Sequence, residues 1–322
     1  MPGDLKKWLI IGIQIAVSAA LIMHLAQSVS AADLGRATRN LSLMTGAASL
    51  GVLGVSHLLG AYRVGIILRA LGVDIPYRRA IALSWLGLFA SNFLPSTIGG
   101  DAVIAASLKR HRYPLTHTLS GLVLNRLAAV MALVTALPCL LLIDGLEPLR
   151  PLILQCILWL AVAISTLGLG LAAVFWTLKW SAVFKARLFR LREAILDLFA
   201  DILSIKPVFA AAWLVSLLML MVGSASIAIL AEAQGPAISY AAVFGVVLIF
   251  LAVQMIPLSF NGIGLQESVI TFCLVSLGWP TAEALALSIA IRLVATAVSL
   301  PGVLVVFAKS THFVSRPTAP KQ

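Results

Sequence analysis

The sequence predicts an all-α integral membrane protein that crosses the bilayer several times. Of its 322 residues, 61% are hydrophobic and only 11% are charged, and its mean hydropathy is +1.05. Soluble domains average about 45–50% apolar and about 25% charged residues. This composition excludes soluble enzymes, secreted disulfide scaffolds and disordered proteins. At about 20 residues per spanning helix, six to eight transmembrane helices fit in the chain.

Six uninterrupted apolar runs are the predicted spans, and two further apolar stretches are broken by proline and glycine. The predicted spans are 8–26, 41–60, 118–143, 152–178, 208–231 and 283–308. The first run resembles a signal peptide at its start, but no convincing small-residue cleavage site follows, so we expect a retained span. Three cysteines lie in apolar runs without paired spacing, which favours neither disulfides nor a metal site.

We expect a single membrane domain, 1–322, made of two halves and a connector. Charged and apolar residues alternate at helical spacing in the connector, which favours a surface-bound amphipathic helix or an ordinary solvated one. The predicted parts are an N-terminal half, 1–178, with a first hairpin at 80–117; a cytoplasmic connector, 179–207; and a C-terminal half, 208–322, with a second hairpin at 240–278.

The distribution of Lys and Arg predicts the orientation of the chain. With both termini cytoplasmic, 18 of the 23 Lys and Arg residues lie on the inside and three lie outside. This asymmetry is the positive-inside pattern. It requires both broken stretches to return to the side they enter from, so each is predicted to be a re-entrant hairpin. The net charge of +11 is therefore explained by membrane orientation and by contact with anionic lipids, and does not indicate nucleic-acid binding.

An internal repeat relates the two broken stretches. FLPSTIGGD is followed by Tyr113-Pro114 and a helix with Arg126, and MIPLSFNGIGLQE is followed by Trp279-Pro280 and a helix with Arg292. In both copies the second proline precedes the arginine by 12 residues. The charge distribution makes the copies inverted across the membrane, as in secondary transporters whose broken helices line a central site.

The predicted site residues follow from this repeat. An arginine inside an apolar helix costs at least about 2.5–3.5 kcal/mol, so something must offset that cost. Arg126 and Arg292 either pair with Asp101 or Glu267 or cap hairpin carbonyls, or they line a polar cavity that binds an anionic headgroup. The two interpretations are compatible if each carboxylate holds an arginine until the ligand displaces it. The predicted cavity residues are Asn92, Asp101, Arg126, Asn261, Glu267 and Arg292. The predicted hairpin breaks are Pro95, Gly99, Gly100, Pro257, Gly262 and Gly264, and the basic residues predicted to recruit headgroups are Lys109 and Arg110.

The stretch NFLPSTIGGDAVIAASLKRHRYPLTHTLSGLVLNRLAA, together with IPLSFNGIGLQESVITF and IRLVATAVSLPGV, resembles the flippase-like membrane domain of the lysylphosphatidylglycerol synthase family. The resemblance covers essentially the whole chain. It implies a bacterial inner-membrane protein that moves aminoacylated, polyprenyl-linked or hopanoid-type lipids between leaflets. Two-part members continue into a soluble aminoacyl-transfer domain, whereas this sequence ends at Gln322, so lysine transfer is not carried over.

Three functions remain open at this stage: a lipid translocase, a membrane-embedded transferase or hydrolase acting on a lipid phosphate, and an accessory subunit for a lipid-modifying enzyme. The enzyme hypothesis needs a nucleophile or base near Asp101, such as His111 or His117. The sequence has no zinc-ligand or phosphate-loop motif. We expect membrane lipids as partners, no cofactor, no metal and no catalytic residue.

Overall fold

A computed structural model of the protein describes residues 2–38, 41–93, 99–177, 193, 196, 200–256 and 259–308. The described residues form only helices and the turns between them, so the fold is all-α. The helices of the N-terminal half are α1 (Pro2–Ser28), α2 (Ala31–Thr38), α3 (Leu43–Ala70), α4 (Tyr77–Phe93), α5 (Gly99–Arg110), α6 (Leu115–Cys139) and α7 (Arg150–Thr177). Those of the C-terminal half are α8 (Lys206–Gln234), α9 (Tyr240–Gln254), α10 (Leu265–Ser276), α11 (Thr281–Ser299) and α12 (Pro301–Ala308).

Five helical segments are long and apolar enough to cross a membrane: 43–70, 115–142, 147–170, 206–234 and 281–305. A sixth crossing is possible if α1 and α2 form one span, although they are bent by 91° between Ser28 and Ala32. Large apolar side chains on α7 and α8, such as Leu169 and Leu214, are exposed. Such a surface is stable in lipid but not in water, which confirms the polytopic membrane fold.

The packing of α3 against α8 joins the two halves. The hydroxyls of Ser49 and Ser226 each donate to the other residue's backbone carbonyl, at 2.9 and 2.8 Å. Further along, Ser56 donates to the Met219 carbonyl at 3.1 Å. Rising residue numbers on α3 therefore meet falling numbers on α8, and the two helices run antiparallel.

The helices after α3 and α8 are arranged alike. Tyr77 opens α4 and donates to the Leu58 carbonyl, and Tyr240 opens α9 and donates to the Met221 carbonyl; each bond spans 19 residues. The turns after α5 and α10 also match, with left-handed backbone at Arg112 (φ 63°) and at Gly278 (φ 89°). These matched contacts support the inverted repeat; its inversion across the membrane stays a prediction.

One boundary differs from that expected. The span predicted at 41–60 continues as α3 to Ala70, so Arg63 lies inside a spanning helix rather than in a cytoplasmic segment. The apolar residues on both sides of Arg63 keep the helix going. Pro95, Pro257 and most of the predicted connector at 179–207 lie outside the described residues.

The approach of α4 to α5 generates a test of the first hairpin. A Cβ atom on Gly100 would overlap the Gly87 carbonyl oxygen and the Ser91 hydroxyl, whereas a Cβ on Gly54 meets nothing within 4 Å. We expect Gly100→Ala to destabilise the protein by about 1–3 kcal/mol, because an overpacked contact must shift the backbone. Gly54→Ala is the matched control. Thermal unfolding in detergent micelles measures both, and equal midpoints for the two variants would contradict this packing.

Candidate functional site

The second helix of each hairpin begins with a carboxylate that pairs with an arginine on the following helix. Asp101 is the third residue of α5 and forms an ion pair with Arg126 of α6. Glu267 is the third residue of α10 and forms an ion pair with Arg292 of α11. Both pairs join residues 25 positions apart. The structure therefore brings together the two pairs that the sequence offered as one of its alternatives.

The second pair also holds the hairpin break in place. Arg292 Nη2 donates to Glu267 Oε2 at 3.1 Å and to the Gly262 carbonyl at 2.8 Å. Glu267 Oε2 in turn accepts the Gly264 N–H at 2.8 Å, which caps α10. Gly262 and Gly264 have φ values of 70° and 80°, a conformation that glycine adopts without steric cost. One arginine thus fixes the loop, the start of α10 and α11 relative to each other.

The first pair is more exposed than the second. The side chains of Asp101 and Arg126 are 24% and 48% exposed, against 11% and 25% for Glu267 and Arg292. Because a dry environment strengthens an ion pair, the Glu267–Arg292 interaction is the stronger one on physical grounds.

The second hairpin break contacts the end of α4, the helix that leads into the first break. Asn261 has left-handed backbone (φ 50°), and its Nδ2 donates to the Asn92 carbonyl at 2.9 Å. Both asparagines line a cavity of about 330 Å³ between the halves. Arg292, Gln254 and Gln266 also line it. Polar groups from both hairpins therefore converge on one space inside an otherwise apolar bundle.

A second, smaller cavity adjoins the first. It measures about 190 Å³, and Asp101, Gly100, Arg63 and Asn125 line it. The side chains of His57, Leu88 and Met219 line both cavities.

The expected single cavity is therefore divided, because side chains of the packed helices α3, α4 and α8 lie between its two parts. Arg126 and Glu267 line neither part; each holds a partner that does. Gly99, the other predicted glycine of the first break, opens α5 and is partly buried.

Sequence reasoning missed several polar residues of these cavities, among them His57, Arg63 and Asn125. Arg63 was assigned to a cytoplasmic segment because the predicted span ended at residue 60. The apolar run that continues to Leu71 was the available signal.

Lys109 and Arg110, the predicted headgroup-recruiting residues, are exposed at the end of α5. Arg69, Arg78 and Arg112 are exposed in neighbouring segments at the same end of the bundle, which makes this surface basic. Among the described residues no cluster of His, Cys, Asp and Glu could hold a metal ion. His111 Nδ1 lies 2.7 Å from the Ser107 carbonyl, and His117 is exposed.

A cavity of about 700 Å³, larger than these two, lies elsewhere, between α1, α7, α9 and α10. Its lining is mainly apolar and includes neither ion pair. We place the candidate site at the two central cavities instead, because a site needs convergent polar groups as well as volume.

The fold and the two broken hairpins define a polytopic α-helical membrane protein with a polar interior site. Residues 11–302 match the family described as the lysylphosphatidylglycerol synthase TM region. The chain belongs to this family, which confirms the resemblance seen in the sequence and gives the protein a lipid-related membrane role. None of the curated proteins compared with the chain matches it.

The unequal exposure of the two ion pairs generates a prediction. We expect the coupling energy of Glu267–Arg292 to exceed that of Asp101–Arg126, within the range of about 0.5–3 kcal/mol found for contacting residues. Double-mutant cycles with Glu267→Gln and Arg292→Gln, and with Asp101→Asn and Arg126→Gln, measure both through unfolding in detergent. A larger coupling for Asp101–Arg126 would be the contrary result.

Proposed function

We propose that the protein is a lipid translocase that moves a lipid with an anionic or phosphate headgroup between the leaflets of a bacterial inner membrane. Aminoacylated, polyprenyl-linked and hopanoid-type lipids are the candidate cargoes. The observation that carries the proposal is the contact of the second hairpin break with the end of α4, through Asn261 and Asn92, at a cavity that Arg292 lines. Its volume of about 330 Å³ falls in the range of about 300–1,000 Å³ typical of small-molecule sites.

In the proposed mechanism the headgroup enters the central cavity while the acyl or isoprenoid chains stay in the bilayer. Arg292 is held by Glu267 and by the Gly262 carbonyl in the empty state. A phosphate that reaches the cavity competes for the same guanidinium, whose planar fork matches phosphate oxygens. When the exchange occurs, the hold of Arg292 on the Gly262 loop is released. Binding is thereby coupled to movement of the second hairpin.

The charges at the surface support an orientation for this cycle. Lys109 and Arg110 lie at the basic end of the bundle, which we assign to the cytoplasmic side together with both termini. A basic surface attracts anionic lipids of the inner leaflet, at about 1 kcal/mol per Lys or Arg. In this proposal the protein acts by binding and conformational change, not by covalent chemistry, and a lipid-modifying enzyme is its proposed partner.

Lipid movement in reconstituted liposomes tests the proposal. We expect the protein to move at least one class among fluorescent anionic, aminoacylated and polyprenyl-phosphate lipids. Arg292→Ala should lower that rate about tenfold or more, since it removes the cation of the central cavity. Arg126→Ala should lower it less, because Arg126 lines neither cavity and its partner Asp101 lines the smaller one.

Two matched variants make this result interpretable. Arg150→Ala removes an exposed arginine paired with Glu147, away from both cavities, and should leave the rate unchanged. Asn261→Ala removes the contact between the second break and the end of α4 without changing charge, and should alter the rate. Folded protein that moves none of these lipids would refute the proposal, as would equal rates for Arg292→Ala and Arg150→Ala.

A further inference from the structure

Arg63 is a buried cation without a paired carboxylate. It lies in the spanning helix α3 and is 8% exposed. Its Nε donates to Asn125 Oδ1 at 2.8 Å and its Nη1 donates to Ser216 Oγ at 2.7 Å, so both partners are neutral. None of the ion pairs among the described residues includes Arg63. Burying a charge without a counter-charge is strongly unfavourable, so a buried arginine with only neutral partners indicates a functional role.

The two cavities differ in their charge because of Arg63. The larger cavity is lined by Arg292, whose charge is balanced by its partner Glu267 behind the lining. The smaller one is bordered by Arg63 and by Asp101, whose carboxylate is already paired with Arg126. Two arginines and one carboxylate leave a single positive charge in excess beside the smaller cavity.

The internal repeat shows that packing alone does not require this arginine. Tyr77 and Leu58 correspond to Tyr240 and Met221 in the second half, since the same bond joins each pair. Arg63 follows Leu58 on α3 at the same distance as Ser226 follows Met221 on α8, so Arg63 corresponds to Ser226. A serine is therefore sufficient for close packing at the equivalent place, and the cation is specific to the first cavity.

We propose that the cavity of about 190 Å³ is a phosphate-binding site in which Arg63 supplies the neutralising charge. The two bonds described above use two of the five N–H donors of the guanidinium, which leaves the others for phosphate oxygens. Gly100, in the first turn of α5, lines the same cavity, so the positive end of that helix adds to the attraction. This inference rests on the proposed function, in which the phosphate is that of the transported lipid, and it adds a second headgroup position to the one beside Arg292.

Equilibrium binding to the full chain in uncharged detergent micelles tests the proposal. The probes are dioctanoyl phosphatidylglycerol, inorganic phosphate, and dioctanoylglycerol, which has the same chains but no phosphate. We expect Arg63→Gln to weaken phosphatidylglycerol binding about tenfold or more, while Arg150→Gln, which removes an arginine paired with Glu147 away from both cavities, leaves it unchanged. Dioctanoylglycerol should not distinguish the variants. If inorganic phosphate also loses binding in Arg63→Gln, the site takes free phosphate as well as the lipid.

A second variant and a second readout separate binding from a purely structural role. Ser84→Leu fills the cavity but keeps Arg63, and should also weaken phosphatidylglycerol binding. Without lipid, Arg63→Gln should unfold at or above the wild-type temperature, because an unbalanced buried charge is gone. Unchanged lipid binding by both variants would overturn the inference, as would an Arg63→Gln protein that is destabilised but binds normally.

Because this experiment measures equilibrium binding, its result does not depend on lipid movement. Protein that binds through Arg63 but moves no lipid would refute the translocase alone. Protein that moves lipid but binds it equally with and without Arg63 would refute this site alone.

Discussion

In a bilayer, backbone N–H and C=O groups must be satisfied by the protein itself, and this constraint governs the centre of the molecule. A helix that breaks at membrane depth frees several such groups at once. In the second hairpin, Arg292 satisfies the Gly262 carbonyl and Glu267 satisfies the Gly264 N–H. The same arginine and glutamate also pair with each other. The charged residues that stabilise the break therefore include Arg292, which also lines the cavity.

Each half has a carboxylate–arginine ion pair beside its hairpin break, but the two pairs differ in burial. Their ion pairs have equal spacing in sequence, yet the first is markedly more exposed than the second. The first half adds a buried cation, Arg63, at a position where the second half has Ser226. The matched contacts of the two halves are thus accompanied by different charges, because the smaller cavity is lined by an additional buried arginine.

The sequence predicted what depends on local pattern. Arg126 and Arg292 are conspicuous because they lie in apolar runs. The glycines at 99, 100, 262 and 264, each close to a proline, mark interruptions of a helical pattern. It did not predict the role of Arg63, because the partners that accept its hydrogen bonds lie 62 and 153 residues away. The division of the site into two cavities was equally hidden, since it results from side-chain packing of helices that a single sequence does not place together.

The shortness of α5 and α10 has an electrical consequence. Each has 12 residues and rises about 18 Å, against a hydrocarbon core of about 30 Å. Where such a helix ends inside the bilayer, water filling the space beyond it thins the insulating layer. The transmembrane voltage, worth about 2.3 kcal/mol per charge at 100 mV, then falls mainly across the thinner layer that remains. Any charge in that layer experiences a steeper field than a charge in plain lipid.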